Sequence, residues 1–339
     1  MFFFRGPLTG LKKILAILLC IPALAVLTQC RSGDDGSFDI AVVTDAGGLG
    51  DKGKNDMVWR GCQRFVEESG IPAKTSSFEP DRLDQGRTFI RDAGEAGADV
   101  IVVASPLWED YVHELAAKHA DVSYLVLSGE RGADNVKALR FPARDAGYLM
   151  GVAAAAAVPT GHYAFLGGRK DRVTDELAAG YGDGVRSENP SSSVEFVYMG
   201  EDFASSVDEG RARRMADKLY EGGADVIFAA AGWANAEIAA VAKEHQKLVI
   251  GYESNQNYLE RGYVITSLNI RWDDVIFEEL CAAGRGAFTG GVREFDIASE
   301  HICYPIDDNN RALIPAEAIR KIEAARQHLA AGPADDEKV

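Results

Sequence analysis

The feature that most constrains this chain is its alternation of short apolar runs with longer amphipathic ones. Strand-like runs fall at 38–44 (FDIAVVT), 99–104 (DVIVVA), 123–127, 136–141, 162–167 (HYAFLG), 194–198, 225–230 (DVIFAA), 247–251 and 263–268. Helix-like runs at 55–69, 84–96, 107–119, 144–158, 173–187, 206–222, 234–244 and 272–288 separate most of them. Several strand runs are apolar at consecutive positions, as parallel strands covered by helices on both faces require. The pattern predicts an α/β fold with parallel sheets. There are too many strands for one small open sheet, which favours two Rossmann-like lobes; a single extended sheet is the competing architecture. The expected N-terminal lobe takes in 38–142 plus 262–290. The expected C-terminal lobe takes in 143–261 plus 291–331, and 332–339 reads as a tail.

The first thirty residues are of another kind. Arg5, Lys12 and Lys13 precede the apolar run 14–27, which is short for a membrane span and contains Pro22. The run ends at Leu27-Thr28-Gln29-Cys30. A basic head, an apolar middle and a following cysteine resemble a bacterial lipoprotein signal peptide over 1–29. Cys30 is then the lipidated first residue and 30–37 a tether. Gln29 departs from the small residue usual there. An ordinary cleaved signal or an uncleaved anchor are the alternatives, and all three place the folded part outside the cytoplasm, facing the periplasm or the extracellular side. Loss of the three bases with residues 1–29 takes the formal charge from −16 to −19. So acidic a chain is not expected to bind nucleic acid, which needs basic patches. Cys62, Cys281 and Cys303 show no metal-ligand spacing, and no metal or cofactor is expected.

The segment TDAGGLGDKGKND (44–56) carries Gly48-x-Gly50-x-x-Gly53, the spacing of a dinucleotide fingerprint. Three residues separate the strand from the first glycine of that spacing, however, and Asp45 and Asp51 bring negative charge where a pyrophosphate would lie. Glu79 is poorly placed as the ribose-binding acid. The phosphate loop GxxxxGK[ST] is absent, and the aspartates lack calcium-loop spacing. Two readings remain. Asp51 or Asn55 caps the following helix, or the loop offers carboxylates and an amide to a hydroxyl-rich ligand at the carboxyl end of a strand.

IAVVTDAGGLGDKGKNDMVWRGCQRF (40–65) resembles the opening of the basic membrane protein family, lipoprotein substrate-binding components of ABC importers. The resemblance rests on Val43-Thr44-Asp45, Asp51-Lys52, Asn55, Trp59 and Gly61. It continues through FPARDAGYLMGVAAA (141–155), AAGYGDGV (178–185), GADVIFAAAG (223–232) and VIGYESNQNYL (249–259). It implies a type I periplasmic-binding-protein fold, with two lobes closing on a ligand at a hinge. It further implies a purine nucleoside ligand touched by Asp45 and Asn55, with Glu253 on the sugar hydroxyls. Two positions depart from the family. Lys54 stands where a phenylalanine faces the base, and Ile270 aligns with a frequent lysine, with Arg271 beside it. An ammonium in place of a ring removes a stacking platform.

Trp108 and Trp233 each follow a strand end, where a cleft would lie; each is a stacking candidate or a core aromatic. Asn235 either bonds ligand or caps a helix, and Asn255 is a candidate cleft residue. No GxSxG, Cys–His spacing or HExxH is present, so no catalytic residue is assigned. The expectation is a lipid-anchored, monomeric, non-enzymatic solute-binding protein for a nucleoside-like molecule, partnered by a membrane permease. Its ligand set is Asp45, Lys54, Asn55, Trp108, Trp233, Asn235, Glu253 and Asn255. A surface sensor or adhesin on the same fold, or a secreted nucleoside-processing enzyme, are the alternatives.

Overall fold

The computed structural model describes residues 36–159 and 161–332. The signal segment, Cys30 and nearly all of the tail lie outside them. The first series runs β1 (Phe38–Val43), α1 (Lys54–Glu68), β2 (Ala73–Phe78), α2 (Leu83–Ala96), β3 (Val100–Val103), α3 (Glu109–Ala116), β4 (Ser123–Leu127) and β5 (Val136–Arg140). The second runs α4 (Ala143–Ala157), β6 (His162–Arg169), α5 (Arg172–Glu188), β7 (Ser193–Gly200), α6 (Glu209–Glu221), β8 (Val226–Ala230), α7 (Asn235–Glu244), β9 (Leu248–Glu253) and β10 (Val264–Ile270). After these come α8 (Trp272–Gly284), β11 (Gly291–Glu294), β12 (Ile302–Cys303) and α9 (Ala316–Ala331).

Two six-stranded sheets result, ordered β2-β1-β3-β4-β5-β11 and β7-β6-β8-β9-β10-β12. The first is parallel throughout, and in the second only β12 runs antiparallel, against β10. Strand order is the same in both. Each sheet therefore reverses direction of winding at one point, between β1 and β3 or between β6 and β8. The loops leaving those strand ends diverge there and leave a crevice. Continuous burial fits this position: β3 and β8, beside the two switch points, are buried at every residue.

Two expected lobe assignments are corrected. Strand 264–270, expected with the N-terminal lobe, pairs with β9 in the second sheet. Residues 291–294, expected with the C-terminal lobe, pair with β5 in the first. The chain crosses after β10 rather than before it, and α8 returns to pack on α1. Gly61 permits that approach, since a β-carbon there would stand 2.6 Å from the Asp273 carbonyl oxygen. A third crossing lies between β11 and β12. Phe141, Trp272 and Phe295, one from each crossing, meet edge to face with centroids 6.4 and 6.1 Å apart. This ring cluster gives the hinge an apolar centre. β2, β11, β12 and α9 were absent from the expected elements. The polar AKTSSF of β2 carries no apolar alternation because it is an edge strand.

Candidate functional site

The two switch-point crevices face each other across the lobe junction. The cleft between them is lined from the first lobe by Asp45, Asp51, Lys54, Ser105 and Ser128, and from the second by Arg169, Asp171, Phe203, Trp233, Tyr252 and Glu253, among others. Its volume here is only about 100 Å3, below the roughly 300–1,000 Å3 of typical ligand pockets. The lobes are shut on one another. Ser254 Oγ donates to the Lys52 carbonyl oxygen, which also accepts from Gln256 Nε2 at 3.3 Å. Arg172 pairs with Glu130 across the junction.

The glycine loop builds the charged floor. Gly48 and Gly50 have φ of +61° and +90°, and Lys52 has +53°. Such left-handed turns suit glycine and strain lysine. Glu79 anchors the loop by accepting from Leu49 N at 2.8 Å. Asp51 accepts from the amides of Gly53 (2.8 Å), Asn55 (2.9 Å) and Asp56 (3.1 Å), so it is the carboxylate that satisfies the start of α1. Asn55 is fully buried. Its Nδ2 donates to Asp45 Oδ1 at 2.6 Å and Asp51 Oδ2 at 2.9 Å, and its Oδ1 accepts from Asp45 N. It fixes Asp45 from beneath instead of lining the cleft.

Lys54 Nζ lies 2.7 Å from Asp45 Oδ2 and 3.6 Å from Glu253 Oε1 on the opposite lobe. The Lys54 amide points at Glu253 Oε2, 3.4 Å away. One residue thus joins the lobes through both its ammonium and its backbone. Glu253 itself has φ +73°, a conformation costing a non-glycine residue on the order of 1–3 kcal/mol and most often kept at functional sites. Burial pushes the Glu253 carboxyl up to about 7; Lys54 opposes this, while Asp45 and Asp51 add to it. Burial, then Asp45, raises Asp51 to about 6. For Asp45, burial acts upward, but the Lys54 ammonium and its hydrogen bond outweigh it and hold the carboxyl below its usual range. Lys54 resists burial in the same way: Asp45 and Glu253 keep it charged, above the usual lysine value.

The aromatic wall belongs to the second lobe. Phe203 sits in a short turn after β7. Trp233 follows β8, its Nε1 donating to Glu209 at 2.8 Å and its ring lying near Gly50 of the first lobe. Arg169 at the end of β6 is held 2.5 Å from Asp171, which closes a capping box with Thr174 at the start of α5.

Of the eight expected ligand residues, Asp45, Lys54, Trp233 and Glu253 line the cleft. Trp108 does not. It is fully buried, donates to the Leu83 carbonyl at 2.9 Å and lies against Gly86, leaving only its edge toward Phe203 at 5.4 Å. Asn235 is buried too, accepting from Ala231 N and donating to Gln256 Oε1, which is a structural role. Asn255 turns away to Asp307. Arg169, Asp171, Ser128 and Phe203 went unnoticed. The first three follow strand ends, a signal available in the sequence; for Phe203 no sequence signal points to the cleft.

Two α/β lobes with a shared ligand cleft define a solute-binding protein of the type I class. The chain belongs to the Bmp family, described as ABC transporter substrate-binding protein PnrA-like, whose pattern it matches over residues 38–312. It is 27% identical to a CD4+ T-cell-stimulating antigen of Listeria innocua, over 94% of this chain and 96% of that protein. It is 26% identical to the ABC transporter nucleoside-binding protein BmpA of Lactococcus lactis, over 73% and 75% respectively. An ABC transporter solute-binding protein of Aeropyrum pernix shares the fold, with TM-score 0.77 and 20% identity over 87% of this chain and 92% of that one. Among the described residues no helix is long and apolar enough to cross a membrane.

Proposed function

We propose that the chain is the lipid-anchored receptor of an ABC importer, held outside the cytoplasm through Cys30, and that its ligand is a nucleoside or a close relative. The observation that carries this is the division of chemistry across one cleft. Asp45 and Glu253 offer acceptors to sugar hydroxyls, while Phe203 and Trp233 offer flat apolar faces to a base. The name of the Lactococcus relative supports the same ligand class.

Lys54 sets the terms of binding. It occupies the space between the two carboxylates, so a ligand hydroxyl must displace its ammonium from Glu253 or join it there. Ligand contacts to both lobes then replace the Lys54 bridge in holding the closed state, whose surface a permease would read. The test is calorimetry of the full chain in detergent with adenosine, inosine, the free bases, ribose and glucose. Saturable binding of a nucleoside, weaker for base or sugar alone, is the expected result. Binding of a sugar with none of any nucleoside would overturn the ligand class.

A further inference from the structure

With Asp45 and Glu253 on the sugar and Phe203 and Trp233 on the base, Arg169 is left without a task. It ends β6, opposite Gly200 of β7, and the turn that follows β7 carries Phe203. Its side chain is 15% exposed and lines the cleft. We propose that Arg169 reads the base, selecting a 6-oxopurine nucleoside such as inosine over the 6-amino analogue adenosine. Such selection rests on the nucleoside ligand proposed above and narrows its class.

A guanidinium carries five N–H donors in one planar fork. Among the described residues that of Arg169 engages a single partner, Nη2 donating to Asp171 Oδ2 at 2.5 Å. Asp171 is itself fixed at the head of α5, where its Oδ1 accepts from Thr174 N at 2.9 Å. The ion pair holds the fork in place without saturating it. Two hydroxyls stand in the same wall. Tyr252 is 6% exposed and lines the cleft, yet among the described residues its Oη makes no hydrogen bond. A buried hydroxyl left so is unusual. Burial first, then Glu253 and Asp171, keep it protonated, well above the usual tyrosine range. Ser206 lines the cleft beside Arg169, where a β-carbon at Gly168 would lie 2.4 Å from its Oγ, and that hydroxyl has no partner either.

This wall is rich in unused donors, while its carboxylate is taken: both Asp171 oxygens are engaged. Across the cleft, Asp45 and Glu253 hold Lys54. The purine 6-position is where that imbalance matters. A 6-oxopurine shows two acceptors on one edge, O6 and N7, the pair that an arginine fork meets bidentately. Adenine shows an amino group beside N7, so donor would face donor and the buried N–H groups would stay unpaired. A phosphate would also suit a fork, but Asp45, Asp51, Asp171 and Glu253 line the same cleft against Lys54 and Arg169. Like charge disfavours an anion there. A neutral ligand with acceptor atoms is what the wall fits.

The experiment is titration calorimetry of the full chain in detergent with inosine and with adenosine, which match in size and differ in the groups at the 6-position. Inosine is expected to bind about tenfold more tightly or better, as a bidentate arginine contact discriminates. In Arg169→Met that ratio is expected to fall to about threefold or less, chiefly through lost inosine affinity. A merely structural role would weaken both ligands alike and leave the ratio standing. Should Arg169→Met fail to melt cooperatively, Arg169→Lys carries the test: it keeps a cation beside Asp171 and gives up the fork, and a smaller fall in the ratio is expected. Equal binding of the two nucleosides, tighter adenosine, or an unchanged ratio in the variants would overturn the selection and leave the nucleoside receptor standing. Binding of neither nucleoside would overturn both.

Discussion

The two lobes wind their strands in the same order yet bring opposite chemistry to the cleft. The first lobe contributes one strained, glycine-rich loop whose carboxylates and ammonium are tied to one another and to backbone amides. The second contributes rings on separate connections, the paired Arg169 and Asp171, and a carboxylate, Glu253, that reaches across. A shared topology therefore decides where a ligand site lies, at the switch point. The loop residues decide what it holds. The lobes also differ inside. In the second, α4 and α5 meet backbone to backbone, and a β-carbon at Gly180 would lie 1.8 Å from the Arg144 carbonyl oxygen.

That contrast is breakable in graded steps. The largest effect is expected from Gly180→Leu, which forces α4 and α5 apart: a loss of about 3 kcal/mol or more, at the upper end of overpacking costs. Urea unfolding followed by circular dichroism measures it, and an unchanged midpoint would show that the helix pair yields easily. Next, Phe203→Ala or Trp233→Ala is expected to lower nucleoside affinity by about 1–3 kcal/mol, roughly five- to 150-fold, as loss of a base platform does. Equal affinity by calorimetry would remove the aromatic role from the second lobe.

Glu253→Gln tests the buried carboxylate that crosses between the lobes to Lys54. Its folded pKa, about 7, lies above the ordinary 4.5. The folded state therefore holds more protons than the unfolded one, and stability falls as pH rises from about 4.5 through 7. Asp51, raised to about 6, adds to that fall within the lower part of the window. The lowered Asp45 acts oppositely, its contribution being lost only as pH falls below the ordinary carboxylate range. In Glu253→Gln the decline of melting temperature between pH 5 and 8 is expected to shrink; an unaltered slope would place the proton uptake elsewhere. The smallest effect is expected from Asn255→Ala, whose side chain faces Asp307: nucleoside affinity within twofold. A tenfold loss would return Asn255 to the cleft.

The α/β class and most of its elements were legible in the sequence, because apolar runs of strand length and amphipathic runs of helix length depend on local period alone. Asp45 was legible for a related reason, lying on the loop that follows a strand, where open sheets bind ligands; Lys54 and Glu253 were legible through the resemblance to the family. What lay beyond reach depended on which surfaces meet. Trp108 and Trp233 follow equivalent strands, yet one is sealed against Gly86 and the other left open beside Gly50. The sheet to which 264–270 and 291–294 belong turned on where the chain crosses the hinge, a crossing after which α8 packs closely on α1 at Gly61. Periodicity is a property of neighbours along the chain, so the sequence by itself determined the class of fold and the loop that bears the charge. The partner of Lys54 on the opposite lobe, the burial of Asn55 and the contact between the lobes arise from atoms far apart in sequence, up to 204 positions for Gln256 and Lys52. Only the closing of the two lobes brings those atoms within reach of one another.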